Sequence, residues 1–380
     1  MTQPALANRI AVPFVDLGLS NEPIRAELLE AVSTLLDSGA FVNGPQVAAF
    51  ERSFAAYCGT ADCVGLASGL DALRLALLAA GIQPGDEVIV PAQTFVATLE
   101  AVTQAGGKPV LAEIGELDYA LDAAATEAAV TSRTAFLLPV HLYGQMADMQ
   151  ALRSLAERRG LAIVEDACQA HGAERDGLRA GAGGLAGAFS FYPAKNLGAM
   201  GDAGALATDD EGLASTVRAL REHGQRSKYR HDLEGYTARL DTIQAIVLEL
   251  KLRLLDGWNE ERRAAARFLS EALAGLGDLV LPAIAPGSMP VWHLYVVRTA
   301  EPDALGSFLR ERGIATGRHY PEPVHLAPAY AGLGYSAGAF PIAEQLARDG
   351  LSLPIFPGIS ESQLAAVAEA VQAYFRSGRE

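Results

Sequence analysis

Short apolar segments alternate with helix-like segments through the first half of the chain. Residues 70–78, between the first two apolar segments, place leucine and alanine at the spacing of a helix with one buried face. Apolar runs separated by helices are typical of βαβ units, so we predict an α/β fold with a mostly parallel sheet. The apolar runs begin at Cys63, Glu87, Pro109, Thr134, Leu161, Ala188 and Gly204.

After Asp209 the pattern of apolar positions becomes helical. Apolar residues recur there at spacings of three and four, which predicts a helix with one buried face. We interpret this helix as the link between two domains. The predicted face comprises Leu240, Ile243, Val247, Leu250 and Leu254.

The linking helix divides the chain into two predicted domains. We assign residues 1–255, with the N-terminal segment, to a large domain that holds the parallel sheet, and residues 256–380 to a smaller α+β domain. Outside the sheet, the pattern predicts helices at 24–36, 303–311 and 361–376 and a strand at 292–297.

Composition and charge narrow the class of protein. Half of the 380 residues are hydrophobic, which is enough for a large core. The chain has 45 acidic and 30 basic residues, and its net charge of −15 disfavours a nucleic-acid surface, which requires clustered Lys and Arg. No apolar run approaches a membrane span and residues 1–14 do not resemble a leader, so we expect a soluble, cytoplasmic protein without a membrane partner.

The sequence offers no pattern of metal ligands. Cys58, Cys63 and Cys168 form no Cys-x-x-Cys pair, so we expect neither a disulfide framework nor a thiolate zinc site. The seven histidines are scattered and show no ligand spacing. No Gly-x-Gly-x-x-Gly follows the first predicted strand, so a dinucleotide-binding fingerprint is also missing.

Residues directly after the apolar runs are the first candidates for chemistry, because ligands of open parallel sheets bind beyond the carboxyl ends of the strands. Lys195 follows the run that begins at Ala188 and precedes a glycine-rich segment, residues 198–204. A partly desolvated lysine in such a place has a lowered pKa and forms imines with carbonyl compounds. A solvated surface charge is the ordinary alternative.

Three other places follow apolar runs in the same way. Asp166 ends an apolar strand, where an ionised carboxylate requires a cation or several donors, although a helix cap is an alternative. Gly69 and Leu70 lie between a strand and a helix, where free N–H groups suit a phosphate. Phe95 offers an aromatic face after a strand, or belongs to the core.

Together these features resemble the fold-type I pyridoxal-phosphate enzymes, and specifically the nucleotide-sugar aminotransferases of the DegT/DnrJ/StrS type. The combination is more specific than any of its parts, and the likeness covers nearly the whole chain. Its further segments are Pro13-Phe-Val-Asp-Leu, Gly44-Pro-Gln-Val, Pro139-Val-His-Leu-Tyr-Gly, Arg239-Leu-Asp-Thr-Ile-Gln, His319-Tyr-Pro and Leu351-Ser-Leu-Pro-Ile.

The resemblance implies roles for three residues around pyridoxal 5'-phosphate. Lys195 would hold the cofactor as a Schiff base and move the proton between the substrate carbon and the cofactor carbon. Asp166 would keep the pyridine nitrogen protonated, since an ionised carboxylate favours the charged form of a neighbouring base. Gln169 would contact the cofactor hydroxyl.

The resemblance also implies the contacts of the ring face and the phosphate. Phe95 would stack on the ring, and the phosphate would lie on the backbone of Gly69 and Leu70, with the Ser190 hydroxyl as a further donor. Many relatives have threonine where this chain has Leu70, and leucine resembles the subgroup that aminates carbon 3 of a deoxyhexose. Thr237 stands where relatives usually have an asparagine that reaches the neighbouring subunit's cofactor phosphate, and it can donate only one hydrogen bond.

The substrate residues implied by the resemblance come partly from a second subunit of a homodimer with shared active sites. Residues 226–230 are a basic run in an acidic chain, as an anionic substrate requires, and a solvated loop explains the run equally well. The implied substrate residues are Lys228, Tyr229 and Arg239 for the diphosphate and His319, Tyr320 and His325 near the sugar.

The predicted function is transfer of an amino group from glutamate to a nucleotide-linked keto-deoxysugar, giving the 3-amino sugar from a dTDP-linked 3-keto-6-deoxyhexose. Amination at carbon 4, of a UDP-sugar or of a cyclitol ketone is an alternative that the cofactor motifs do not separate. A regulatory relative that binds the cofactor without turnover is the alternative outside enzymes. Lys195 argues against such a regulatory relative. It also argues against the branch of the resembled family that has histidine at this position and dehydrates sugars.

Overall fold

The computed structural model of the chain describes residues 12–377; residues 1–11, most of the segment considered as a leader, and residues 378–380 lie outside this range. Helices and strands alternate through the first half, as predicted. The helices are α1 (Leu17–Asn21), α2 (Arg25–Ser38), α3 (Pro45–Cys58), α4 (Gly69–Ala79), α5 (Ala97–Gln104), α6 (Ala123–Ala129), α7 (Met149–Arg159), α8 (Glu211–Arg221), α9 (Thr242–Leu252), α10 (Leu255–Leu273), α11 (Pro302–Glu311), α12 (Pro341–Asp349) and α13 (Glu361–Ser377). The strands are β1 (Asp62–Leu66), β2 (Glu87–Pro91), β3 (Lys108–Ala112), β4 (Thr134–Leu137), β5 (Ala162–Asp166), β6 (Glu174–Arg175), β7 (Leu178–Arg179), β8 (Ala186–Ser190), β9 (Gly204–Thr208), β10 (Gln225–Ser227), β11 (Arg230–His231), β12 (Ser288–Met289), β13 (Tyr295–Arg298) and β14 (Gly350–Leu353).

A seven-stranded sheet in the order β1-β9-β8-β5-β4-β2-β3 organises the large part of the molecule. Its strands run parallel except β9, which pairs antiparallel with β1 and β8. Each apolar run recognised in the sequence forms one of these strands. The prediction of an α/β fold with a mostly parallel sheet is therefore confirmed.

Helices cover both faces of this sheet, so its strands are mostly apolar, and their charged residues lie at the strand ends. Every residue of β2 and β9 is buried. Successive residues of β2 point to opposite faces: Val88 and Val90 belong to one apolar core, and Ile89 belongs to the other.

Local signals define where the helices that follow strands begin. The side chains of Ser68, Asp148 and Asp210 each accept a hydrogen bond from a main-chain N–H in the first turn of α4, α7 and α8. Gly160 ends α7 in the left-handed conformation, with φ of 65°. These caps define the first residues of α4, α7 and α8.

The predicted linking helix is two helices, α9 and α10, which are separated at residues 253–254. Val247 and Leu250 pack against α2, but Leu240 precedes α9 and packs in a core cluster of the central sheet. Ile243 is 41% exposed, so the prediction of a single buried stripe was wrong. Residues on several sides of α9 are buried, and a stripe does not describe a helix that packs against more than one neighbour.

The C-terminal part has an apolar core of its own around the antiparallel pair β13 and β14. Leu269 of α10, Leu309 of α11 and Val371 of α13 pack there with Tyr295 of β13. The predicted helices at 303–311 and 361–376 are present, and the strand begins later than predicted, at Tyr295. The domain boundary at residue 255 stays a prediction. No helix within residues 12–377 is long and apolar enough to cross a membrane.

Candidate active site

A cavity of about 470 Å³ lies at the carboxyl ends of the parallel strands. Residues at or just beyond the ends of five sheet strands line it, as expected for an open parallel sheet. They are Ser68 after β1, Thr94 after β2, Val140 after β4, Asp166 at the end of β5 and Ser190 at the end of β8. The cavity therefore collects side chains that are far apart in the sequence.

Lys195 lines this cavity in the turn that follows β8. Its main-chain N–H donates to the oxygen of Tyr192 at 2.8 Å, while its amine has no hydrogen bond with any described residue. Burial lowers the pKa of Lys195, and the nearby Asp166 opposes the shift. The amine thus becomes neutral, and nucleophilic, at lower pH than an exposed lysine does.

Asp166 is 6% exposed and is held by two donors. Its Oδ1 accepts from the N–H of Cys168 at 3.2 Å, and its Oδ2 accepts from the hydroxyl of Thr98 at 2.8 Å. Because Thr98 has one hydroxyl proton and donates it to Asp166, the hydroxyl of Thr94, 2.8 Å away, must donate to Thr98. No helix begins at Asp166, so the helix-cap alternative was wrong.

The start of α4 forms an anion cradle beside Lys195. The Ser68 hydroxyl accepts from the N–H of Asp71 at 3.0 Å, while the N–H groups of Gly69 and Leu70 have no acceptor among the described residues. A Cβ at Gly69 would lie 2.7 Å from both the Cβ of Ser190 and the sulfur of Cys168, so a larger residue does not fit. Free N–H groups at a helix amino terminus suit a phosphate.

Phe95, Gln169 and Ser190, which the prediction also assigns to the cofactor, line the cavity as well. Phe95 is 51% exposed there, so the core alternative was wrong, and its ring centroid lies 5.4 Å from that of Tyr320. The Gln169 side chain accepts from the N–H of Tyr143 at 2.8 Å and donates to the Tyr320 hydroxyl at 3.1 Å. His319 lines the cavity beside Tyr320, and burial lowers the pKa of His319 to about 4.

The other predicted residues lie outside the cavity within one chain. Lys228 and Tyr229 are on the β10–β11 hairpin, where Tyr229 is 82% exposed. Thr237 contacts Nε2 of His223 at 3.2 Å, and Arg239 donates to Glu222 at 3.0 Å. The roles predicted for these four residues require a second subunit, and they stay predictions.

His325 does not line the cavity, contrary to its predicted place near the sugar. Its side chain is 2% exposed and bonds to Glu344 at 3.0 Å. The ring of Phe340 packs edge-on against it, with centroids 5.0 Å apart. Nδ1 of His325 is buried and has no hydrogen-bond partner among the described residues, and the residue is not part of the cavity lining.

A larger groove of about 690 Å³ is less suited to this chemistry. Four of its charged lining residues pair with each other, Arg221 with Glu51 and Arg218 with Asp62. It also lacks Lys195 and the free N–H groups at the start of α4. We therefore place the active site in the smaller cavity.

Sequence reasoning did not single out Thr98, His293 or Arg262, which all line the cavity. Thr98 lies in the first turn of α5 and Thr94 lies three residues before that helix begins, so no helical spacing marks the pair in the sequence. Arg262 interrupts the apolar stripe of α10 that includes Ala266. An arginine in such a stripe was a usable signal, whereas nothing local marks His293.

The orientation of His293 follows from a chain of amide hydrogen bonds next to Lys195. Nδ2 of Asn259 donates to the main-chain oxygen of His171, so Oδ1 of Asn259 is an acceptor. It accepts from Nδ2 of Asn196, and the same Nδ2 also donates to the main-chain oxygen of Val291. Asn196 Oδ1 is left to accept from Nδ1 of His293, at 3.2 Å. The His293 proton is therefore on Nδ1, and Nε2 carries a lone pair.

The likeness to known proteins extends over nearly the whole chain. Residues 22–372 match the DegT/DnrJ/EryC1/StrS aminotransferase family. The chain is 52% identical over 361 residues to a dTDP-3-amino-3,4,6-trideoxy-alpha-D-glucose transaminase from Streptomyces venezuelae, with 95% of each chain covered.

Solved structures of aminotransferases share the fold. The crystal structure of S. venezuelae DesV in complex with a ketimine intermediate matches with a TM-score of 0.94 and 52% identity, over 96% of this chain and 98% of that one. NtdA from Bacillus subtilis with bound cofactor PMP matches with a TM-score of 0.88 and 31% identity, over 97% and 86%. The predicted fold type and enzyme class are confirmed. The chain belongs to the DegT/DnrJ/EryC1/StrS aminotransferase family.

Proposed function

We propose that this enzyme transfers the amino group of glutamate to the keto carbon of a nucleotide-linked deoxysugar, giving the 3-amino sugar from a dTDP-linked 3-keto-6-deoxyhexose. Its cofactor is pyridoxal 5'-phosphate, as in the family to which it belongs. One observation carries the proposal: the unpaired amine of Lys195 shares a cavity with Asp166 and with the free N–H groups of Gly69 and Leu70.

The residues of the cavity fit this cofactor. The N–H groups of Gly69 and Leu70 would bind its phosphate, for which the absence of a Cβ at Gly69 leaves room. Asp166, held by Thr98, would keep the proton on the pyridine nitrogen. Phe95 would cover one face of the ring and exclude water from it.

When bound, the cofactor supplies an electron sink for the carbon that exchanges its amino group. Lys195 is the base that would move a proton to and from this carbon, and burial lowers its pKa from the ordinary lysine value. The hydrogen bond from Thr98 orients Asp166, so the carboxylate would remain in place through both halves of the reaction.

A homodimer would complete the site with residues that lie outside the cavity of one chain. The exposed hairpin carries Lys228 and Tyr229, which suit the diphosphate of a second copy's substrate. Exposed apolar side chains support an interface with a second copy, since large apolar patches mark contact surfaces. They are Leu29, Leu36, Phe41, Val42 and Ile243, on α2, α9 and the segment between α2 and α3.

Carbon 3 as the site of amination is inferred from two observations. Leu70 resembles the residue that the subgroup aminating this carbon has at this position. The S. venezuelae relative, at 52% identity, is named for a 3-amino sugar. Enzymes that aminate carbon 4 or other ketones share these cofactor residues. The chemical structure of the product therefore distinguishes amination at carbon 3 from these alternatives.

The test combines spectroscopy of the loaded enzyme with product analysis. We expect the visible absorption band of the lysine-bound cofactor in the wild type, its loss on addition of glutamate, and an amino group at carbon 3 of the product. Lys195→Ala should lack the band, whereas Lys108→Ala, which removes a half-exposed lysine paired with Glu87, should keep it. A band that does not respond to glutamate would favour a regulatory protein, and a band retained in Lys195→Ala would refute the role of Lys195.

A further inference from the structure

Arg262 is a buried arginine in the wall of the cavity, and its hydrogen bonds leave part of the guanidinium without a partner. It is 3% exposed. Its Nη1 donates to the main-chain oxygens of Trp292 at 3.1 Å, His293 at 3.4 Å and Ile355 at 2.9 Å. The N–H groups on Nε and Nη2 have no acceptor among the described residues.

Arg262 forms no ion pair with a described residue, since all its acceptors there are main-chain oxygens. The charge of Glu261 raises the pKa of Arg262, but Oε2 of Glu261 accepts from the N–H of Gly358. Arg263 and Arg267 of the same helix both pair with Glu260. Burial lowers the pKa of Arg262 only to about 10, so the guanidinium stays charged at neutral pH. A buried charge without a counter-ion is costly, and an anion in the cavity would remove that cost.

The other charged groups of the cavity do not offer a second anion site of this kind. Asp166 and Asp202 are acidic, and Lys195 would be bound to the cofactor. The N–H groups at Gly69 would be occupied by the phosphate. Arg262 is then the charged donor of the described cavity lining that remains free for a substrate.

We infer that Arg262 binds a carboxylate of the amino donor. This inference rests on the proposed function, because the donor must bring its amino-bearing carbon close to Lys195. An amino acid always carries a carboxylate next to that carbon, and the planar guanidinium fork matches a carboxylate. The sugar that follows in the same cavity has a neutral ring, so only the first half-reaction depends on the charge of Arg262.

A purely structural role is the competing explanation, because Arg262 also connects α10 to two loops through main-chain oxygens. The two roles predict different patterns. A connecting residue affects binding of glutamate and of the sugar together, along with stability. A carboxylate site affects glutamate and other carboxylates while leaving the sugar half-reaction nearly unchanged.

The experiment follows the absorbance of the cofactor-loaded enzyme in each half-reaction separately, with succinate as a competing dicarboxylate that has no amino group. For Arg262→Gln we expect the dissociation constants of glutamate and succinate to rise about 10- to 100-fold, as for loss of a charge-assisted hydrogen bond. Arg262→Lys should recover part of the affinity. The matched control is Arg267→Gln, on the same helix with an exposed side chain, and it should resemble the wild type.

If the dissociation constants of glutamate and succinate are unchanged in Arg262→Gln, the inference is overturned. Equal losses of affinity in the glutamate and sugar half-reactions would also overturn it. If Arg262→Gln does not fold, wild-type enzyme decides: succinate should compete with glutamate, and neutral succinamide of similar shape should not. Equal competition by both would overturn the inference. A wild type that does not react with glutamate would instead contradict the proposed function, and with it the donor site.

Discussion

Two neighbouring carboxylates on β5 face opposite sides of the sheet and have different surroundings. Glu165 is fully buried, and its oxygens accept from Nε2 of His141 at 2.8 Å and from main-chain N–H groups in the loop 181–184 at 2.6, 2.9 and 3.0 Å. Asp166 lines the cavity with two donors, the Thr98 hydroxyl and the N–H of Cys168. One carboxylate is thus sealed inside the protein, and the other is open to a ligand.

The difference shows how a buried acid becomes structural or functional. His141 Nδ1 accepts from the N–H of Ala147, so the ring proton is on Nε2 and is donated to Glu165. The hydrogen-bonding capacity of Glu165 is therefore filled by the protein. Asp166 retains capacity on the side of the cavity, where a protonated ring nitrogen would complete its coordination.

The largest effect is expected for Glu165→Gln. The amide keeps the size of the side chain but places an N–H group against main-chain donors, so the unfolding free energy should fall by about 3–5 kcal/mol. Urea unfolding measures this loss. The control is Glu260→Gln, at a side chain that is 58% exposed, which should change stability by less than about 1 kcal/mol. A loss below about 1 kcal/mol for Glu165→Gln would show that the two carboxylates do not differ as argued.

Asp166→Asn should have the opposite profile. Asparagine can keep its oxygen toward the N–H of Cys168 and donate from Nδ2 to the Thr98 hydroxyl, which can then donate to Thr94, so we expect stability close to that of the wild type. Without the negative charge the ring proton is not held, and turnover should fall by about 100- to 1,000-fold. Steady-state kinetics and urea unfolding on the same preparation separate the two effects. An active variant, or an unfolded one, would contradict the assignment.

Thr98→Val should have a smaller effect on the same carboxylate. It removes one hydrogen bond to Asp166 at nearly constant volume, so we expect about a tenfold loss of turnover. Thr103→Val is a control on α5, because the Thr103 hydroxyl bonds to main-chain oxygens of its own helix and to Tyr330, and neither residue lines the cavity. Equal activities of the two variants would mean that Thr98 does not position Asp166.

The smallest expected effect is a change in the pH dependence of cofactor loading. The neutral amine of Lys195 is the reactive form, so the rate should rise with pH through its pKa, which burial lowers below the ordinary value of about 10.4. The charge of Asp166 raises this pKa, so Asp166→Asn should move the profile to lower pH. This pH dependence is measured by adding cofactor to the cofactor-free protein at each pH and recording how fast the visible absorption band of the lysine-bound cofactor appears. If the profile of Asp166→Asn moved to higher pH, Asp166 would not raise the pKa of Lys195 as stated.

Much of the fold could be predicted because its signals are local. The apolar runs of the sheet strands, the caps of α4, α7 and α8, and the placement of Lys195 just after a strand all lie within short stretches. The linking helix was predicted less well, since Ile243 is exposed. Periodicity reports that a helix has an apolar side, but it does not report how many neighbours pack against that helix.

The sequence by itself determined the parallel sheet and the residues that follow its strands, including Lys195 and Asp166, because chain direction places strand ends at one edge. Tertiary structure alone decided which distant side chains join them. Thr98 meets Asp166 across 68 residues, and Asn196 meets His293 across 97. The free guanidinium of Arg262 is likewise a product of packing, since no local pattern records which acceptors a buried side chain will have.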